Sequence, residues 1–255
     1  MQIFKIVPAA FLGLVLSATA FAQSEEEDKP TESPKKNIVK INLSALVAKN
    51  ISVQYERKVA KRISIAANVH YRPFGQLPFL SSIENAIDDP SVPVDKLKWG
   101  GVGVTPEVRF YVGKKGALRG FYLAPFANIS NYKADLPIEY SNGSIDKTGI
   151  FNGNISTVTG GLLLGAQWKL GKSVYLDWWI IGPNYGSAKG DLILRTALSP
   201  IEQTNLRSQI EDLIADAPFD RLVESYSVNG SGATISAKGP WAGLRGLGFN
   251  LGFRF

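Results

Sequence analysis

Residues 247–255 alternate without interruption: Leu247, Phe249, Leu251, Phe253 and Phe255 fall on one side, Gly248, Asn250, Gly252 and Arg254 on the other. A period of two belongs to a β-strand, whose successive side chains point to opposite faces. In water such a row of bulky apolar side chains would template aggregation. In lipid it has a place, because a closed barrel turns its apolar row to acyl chains and its small, polar row to a lumen, and leaves no edge. The alternation therefore predicts the last strand of a transmembrane barrel, and its partners should be legible upstream.

Strand-like runs recur at residues 37–46, 51–59, 63–72, 99–112, 120–132, 155–170, 174–185 and 241–255. Each is at or slightly above the ~9–11 residues that a tilted strand needs to cross a bilayer. In the third run Ile63, Ile65, Ala67, Val69 and Tyr71 point outward; in the sixth Val158, Leu162, Leu164, Ala166 and Trp168; in the seventh Val174, Leu176, Trp178 and Ile180 alternate with inward Tyr175, Asp177, Trp179 and Ile181. The connections after the second, fourth and sixth runs are short, and those after the third, fifth and seventh are long. That is the turn-and-loop asymmetry of bacterial barrels. The expected fold is all-β: an eight-stranded antiparallel up-and-down transmembrane β-barrel with short helices in its outer loops. Trp99, Tyr132, Tyr185 and Trp241 are expected at the outer rim as part of an aromatic belt.

Residues 1–22 read as a secretory signal peptide, with Lys5 before an apolar run and Ala20 and Ala22 at an A-x-A cleavage site. Residues 23–36 are charged, lack apolar periodicity and read as a disordered periplasmic lead-in; residues 37–255 form the barrel. The chain has no cysteine, which excludes disulfides and thiolate metal sites. Mean hydropathy is close to zero, as expected when apolar and polar faces average out. The net charge of +6 is too small and scattered for a nucleic-acid surface.

The inward rows carry Glu56, Lys58, His70, Arg72, Glu107, Arg109, Lys169, Asp177 and Arg254. An eight-stranded barrel is just wide enough for side chains to fill, so these charges are expected to pair and plug it. The alternative is a narrow ion or solute pore with a charged lumen. His70 is the sole histidine and has no serine in register; a lumen hydrogen-bonding role is expected rather than catalysis. No cofactor or metal is implied, and the carboxylates of Asp88 and Asp89 lack further spaced ligands. In the last outer loop Ser199, Pro200 and Glu202 open a capping box. Leu206, Ile210, Leu213 and Ile214 then form an amphipathic stripe, within a helical segment at about 199–223 that Pro218 ends or kinks. A weaker stripe of Phe79, Leu80, Ile83 and Ile87 lies in an earlier loop.

Residues 37–79, containing Val53, Gln54, Tyr55, Glu56 and Arg57, resemble a family of uncharacterised small bacterial outer-membrane barrels (a domain of unknown function), and more broadly OmpA- and OmpW-like porin-type barrels. So do residues 106–111 and the turn at 165–171. The row from Leu247 to Phe255 is similar to the last strand of outer-membrane barrels, which implies recognition by the barrel-assembly machinery. The resemblance implies fold and location: a multi-pass barrel in the bacterial outer membrane, with a periplasmic N-terminus and outer-membrane lipid and lipopolysaccharide around it. It implies no activity. Expected is a monomeric, non-enzymatic barrel with a filled lumen, structural or binding a surface partner through its outer loops. A lipid-modifying enzyme is the remote alternative.

Overall fold

A computed structural model of the chain describes residues 35–78, 96–215 and 219–255. The expected signal peptide with Ala20 and Ala22, nearly all of the lead-in, the stripe from Phe79 to Ile87, Asp88, Asp89 and Pro218 lie outside the described residues. The strands are β1 (Asn37–Asn42), β2 (Ile51–Lys58), β3 (Ile63–Gln76), β4 (Lys98–Tyr111), β5 (Gly120–Ser141), β6 (Asp146–Lys169), β7 (Val174–Ile181), β8 (Pro183–Arg195), β9 (Val223–Asn229), β10 (Gly232–Leu244) and β11 (Gly248–Arg254). The helices are α1 (Leu43–Val47), α2 (Pro200–Ala215) and α3 (Phe219–Leu222). No helix among the described residues is long and apolar enough to cross a membrane.

Eight strands close a barrel in the order β1, β2, β3, β4, β5, β6, β7, β11 and back to β1, every pair antiparallel. The closing pair runs from Ile38 opposite Arg254 to Asn42 opposite Asn250. Asn37 and Phe255 exchange both backbone hydrogen bonds, at 3.1 and 2.9 Å, just beyond that register. The alternation read in the last nine residues thus becomes an exposed row, Phe249, Leu251, Phe253 and Phe255, and a lumen row in which Asn250 is 1% exposed.

Several expected boundaries move. The first run stops at Asn42, because the Asn42 side chain accepts a hydrogen bond from the Ala45 backbone N–H at 2.8 Å and caps α1. Residues 133–154, expected as a loop, are mostly strand: β5 and β6 stay in register up to Ser141 opposite Asp146, so only a tight hairpin remains. The last long connection is likewise not just a helical loop. It holds β8, β9 and β10 as well as α2 and α3, with β8 paired between β6 and β10. These strands and the upper halves of β5 and β6 form a cap sheet standing above the barrel.

The expected seventh and eighth runs each break in two. β7 gives way to β8 at Gly182, where a register shift against β6 turns Ile181 outward, 49% exposed, rather than into the lumen. β10 gives way to β11 through residues 245–247, with Leu247 at φ 53. The breaks lie side by side, since the Arg245 N–H donates to the Gly182 carbonyl at 2.8 Å. Ala166, expected on the outer wall, is fully buried: its register neighbours there are Phe121 and Trp178, two much larger residues flanking so small a side chain. Trp99, Tyr132 and Trp241 face inward instead of joining a belt; Trp99 packs tilted on Tyr132 and Tyr132 stacks on Trp241, with centroids 5.9 and 6.3 Å apart, and Tyr185 is exposed as expected.

Candidate functional site

The lumen is the best-defined candidate. Its base is closed by apolar packing of Ile38, Tyr111, Tyr175 and two residues of the β4–β5 turn, Ala117 and Leu118. Leu118 adopts φ 74 to point inward and is 1% exposed. Above this base the lumen rows of β1, β2, β4, β6 and β7 converge on one network. Lys40 Nζ donates to Glu56 Oε2 (2.5 Å), Gln167 Oε1 (2.5 Å) and Asp177 Oδ2 (2.6 Å). Arg109 Nε donates to Glu107 Oε1 (2.5 Å), its Nη1 to Asp177 Oδ2 (2.7 Å) and its Nη2 to Gln54 Oε1 (2.8 Å). Tyr111 and Tyr122 hydroxyls donate to Glu56 and Asp177, each at 2.7 Å, and Ser64 donates to Glu56. Arg245, from the strand break, donates to Glu107 from one side while its guanidinium lies 4.0 Å from the Trp179 ring centroid.

Three cations, Lys40, Arg109 and Arg245, meet three carboxylates, Glu56, Glu107 and Asp177. The side chains of all but Arg245 are wholly inaccessible to water. Chemically this is a neutral plug in which every carboxylate has charged donors, as burial of ions requires. It holds no free nucleophile.

Of the residues expected in the lumen network, Glu56, Glu107, Arg109 and Asp177 come together there. Arg72 sits at the upper rim, donating to the carbonyls of Ala48 and Gln76, over the Trp99 ring at 4.8 Å. His70 faces the upper lumen across Gly103 from Ser130, whose hydroxyl donates to Asn128 Oδ1 at 2.8 Å. Arg254 is at the base, donating to the Tyr175 hydroxyl at 2.8 Å and to the Lys35 carbonyl. Lys58 and Lys169 lie near the short turns and are half-buried. Sequence reasoning passed over Lys40, Gln54, Gln167 and Arg245. The first three stand on inward rows and the alternation could have found them. Arg245 lies in the strand break, where the alternation is lost.

The cap is the second candidate. On the face that continues the lumen, Phe151, Leu192, Leu194, Val228, Ala233 and Ile235 form an apolar core covered by Leu206 and Ile210 of α2, both fully buried. Ile214 packs at its margin, whereas Leu213 is 42% exposed, so the buried stripe is the i, i+4, i+8 row alone. The expected capping box is present: the Ser199 N–H donates to Glu202 Oε2 at 2.8 Å, and the Glu202 N–H to Ser199 Oγ at 3.4 Å. Lys147 on β6 donates to Glu202 Oε1 at 2.6 Å and ties α2 to the hairpin. This ammonium and the Ser199 donors hold the Glu202 carboxyl down to about 2.

Across the molecule the sheet exchanges its faces. Along the lower wall the outer face is apolar and exposed, as with Phe121, Leu123, Ile129, Val158 and Leu162. One row higher in register the outer face becomes Asn131, Ser156, Lys189 and Lys238, followed by Lys133, Asn154, Asp191 and Ser236. The inner face changes in the opposite sense, from the charged plug to the apolar core under α2.

Residues 11–191 match the family described as "Protein of unknown function (DUF3575)". The chain belongs to that family, whose matched span covers β1 to most of β8 and stops before α2. A search of curated proteins finds no match.

Proposed function

We propose that this chain is an integral, non-enzymatic β-barrel of the bacterial outer membrane, with a plugged lumen, akin in architecture to OmpA- and OmpW-like barrels. Its task would be carried by the cap, which projects outside the cell. The observation that carries this reading is the exchange of faces. A strand that leaves lipid for water must swap its apolar side from outside to inside, because only the environment that surrounds it has changed. The apolar stretch from Phe121 to Ile129 on β5 matches the ~9–11 residues of a tilted spanning strand. An uninterrupted apolar girdle on a soluble monomer would exceed the few hundred Å² such proteins tolerate. α1 adds support: it has no buried residue and exposes Leu43, Leu46 and Val47.

The buried, charge-balanced network favours a filled lumen over the ion-channel reading. Fractionation tests the location: the protein should sediment with outer membranes and show heat-modifiable electrophoretic mobility, and recovery in the soluble periplasmic fraction would overturn it. Planar-bilayer recording tests the plug, for which no steady unit current is expected. Currents that change on Glu107→Gln would sink it.

A further inference from the structure

Where the outer face of the sheet turns from apolar to polar, its first charges are cations. Lys189 and Lys238 stand one row above Val158, Ser187 and Pro240, and the exposed ring of Tyr185 lies four residues below Lys189 on β8. Lys133 follows one row higher, its Nζ 4.9 Å from the centre of the Phe74 ring. Over these strands opens a groove of about 720 Å³, lined by Lys133, Lys189, Arg195, Lys238, Asp191 and Glu224 among others.

Lys189 and Lys238 are direct register partners on neighbouring antiparallel strands, and both are exposed. Like charges placed opposite one another in this way destabilise a sheet. The carboxylates of this face offer little relief. Asp191 accepts from Ser236 Oγ at 2.7 Å and Asp135 from Asn152 Nδ2 at 2.7 Å. Glu224 reaches Lys238 at 3.1 Å, in a pair so exposed that it contributes little. Among the described residues Lys189 and Arg195 have no hydrogen-bond or ion-pair partner. An anion lying between Lys189 and Lys238 would remove the repulsion.

We propose that this groove seats the phosphate-bearing headgroup of a lipid in the surrounding leaflet. A phosphate bridges Lys189 and Lys238, Lys133 and Arg195 extend the positive field along the headgroup, and the acyl chains descend over Val158 and Leu162. Continuity selects a lipid over a soluble anion: the cations begin in the row where the apolar wall ends, and Tyr185, apolar in body and polar at its tip, marks that boundary. The proposal rests on the barrel reading for the lipid beside the groove.

Native mass spectrometry of protein released from nanodiscs tests it. Failure to enter phosphatidylcholine nanodiscs would overturn the barrel reading and the proposal with it; protein that enters them tests the groove alone. With lipid A, a phosphorylated glycolipid, mixed into the phosphatidylcholine, the wild-type protein should retain lipid A beyond its share of the bilayer. Lys189→Glu turns the like pair into an opposite one, so the sheet should hold while retention falls about tenfold or more. Lys114→Glu makes the same change of charge in the β4–β5 turn at the far end, and should retain lipid A as the wild type does. Retention in proportion to bilayer composition, or an equal effect of the two variants, would overturn the proposal. So would displacement of lipid A by millimolar inorganic phosphate, which would make the groove a site for a soluble anion.

Discussion

At the scale of single residues the lumen plug is the part most sensitive to change. Lys40 serves Glu56, Gln167 and Asp177 at once, and its ammonium is wholly buried. Breaking a buried ion pair by removing one partner leaves a stranded charge and costs roughly 3–5 kcal/mol. Lys40→Met should therefore lower the denaturation midpoint of the refolded barrel markedly. Val39→Ala, one residue away on the outer face, should change it little; equal midpoints for the two variants would show that the network is not what holds the lumen closed. The sign of the inward rows was legible at Glu56, Glu107, Arg109 and Asp177, since period two assigns a face to every residue of a regular strand. Which charges meet was not. That depends on the stagger between strands, and His70, Arg72 and Arg254 share the lumen face but sit too high or too low to reach the plug.

Elements show where local pattern loses its hold. The capping box at Ser199 and Glu202 and the buried pair Leu206 and Ile210 were readable because helix signals lie within a few residues of one another. The strands of the cap were missed because they reverse the rule used elsewhere: Leu192, Leu194, Ile235 and Phe151 bury their apolar side inward, against α2, where the barrel strands expose theirs. Truncating Leu206→Ala should cost about 2–5 kcal/mol of local stability. It should raise hydrogen exchange in α2, β9 and β10 while leaving β1 to β4 protected, and uniform loosening would mean that cap and barrel unfold as one. The Glu202–Lys147 tie gives the cap an acid limit. Glu202 titrates near 2 instead of the usual 4.5, so its contribution is whole above about 4.5 and is lost as pH falls through about 2. The 222-nm circular dichroism of α2 should weaken over that range, and in Lys147→Gln the loss should begin at higher pH.

The whole molecule is decided by one seam, β1 against β11. Cysteines at Ile41 and Leu251, which face one another across it, should oxidise to a cross-link in folded protein, and Val39 paired with Leu251, one step out of register, should not. A reversed preference would break the closure described here. Removing Phe255 deletes both backbone hydrogen bonds with Asn37 as well as an exposed ring, whereas Phe255→Ala keeps the bonds; the deletion should therefore slow refolding into bilayers more than the substitution. By itself the sequence determined a closed barrel, its strand number and the strand that closes it, because alternation is local and an unbroken apolar row has few places to go. Only the tertiary structure decided that two strands break beside each other at Gly182 and Arg245, that the sheet exchanges its faces above the girdle, and that Arg245 drops into the plug. Those outcomes rest on register and on neighbours from other strands, such as Phe121 and Trp178 beside Ala166, and no period within one strand encodes them.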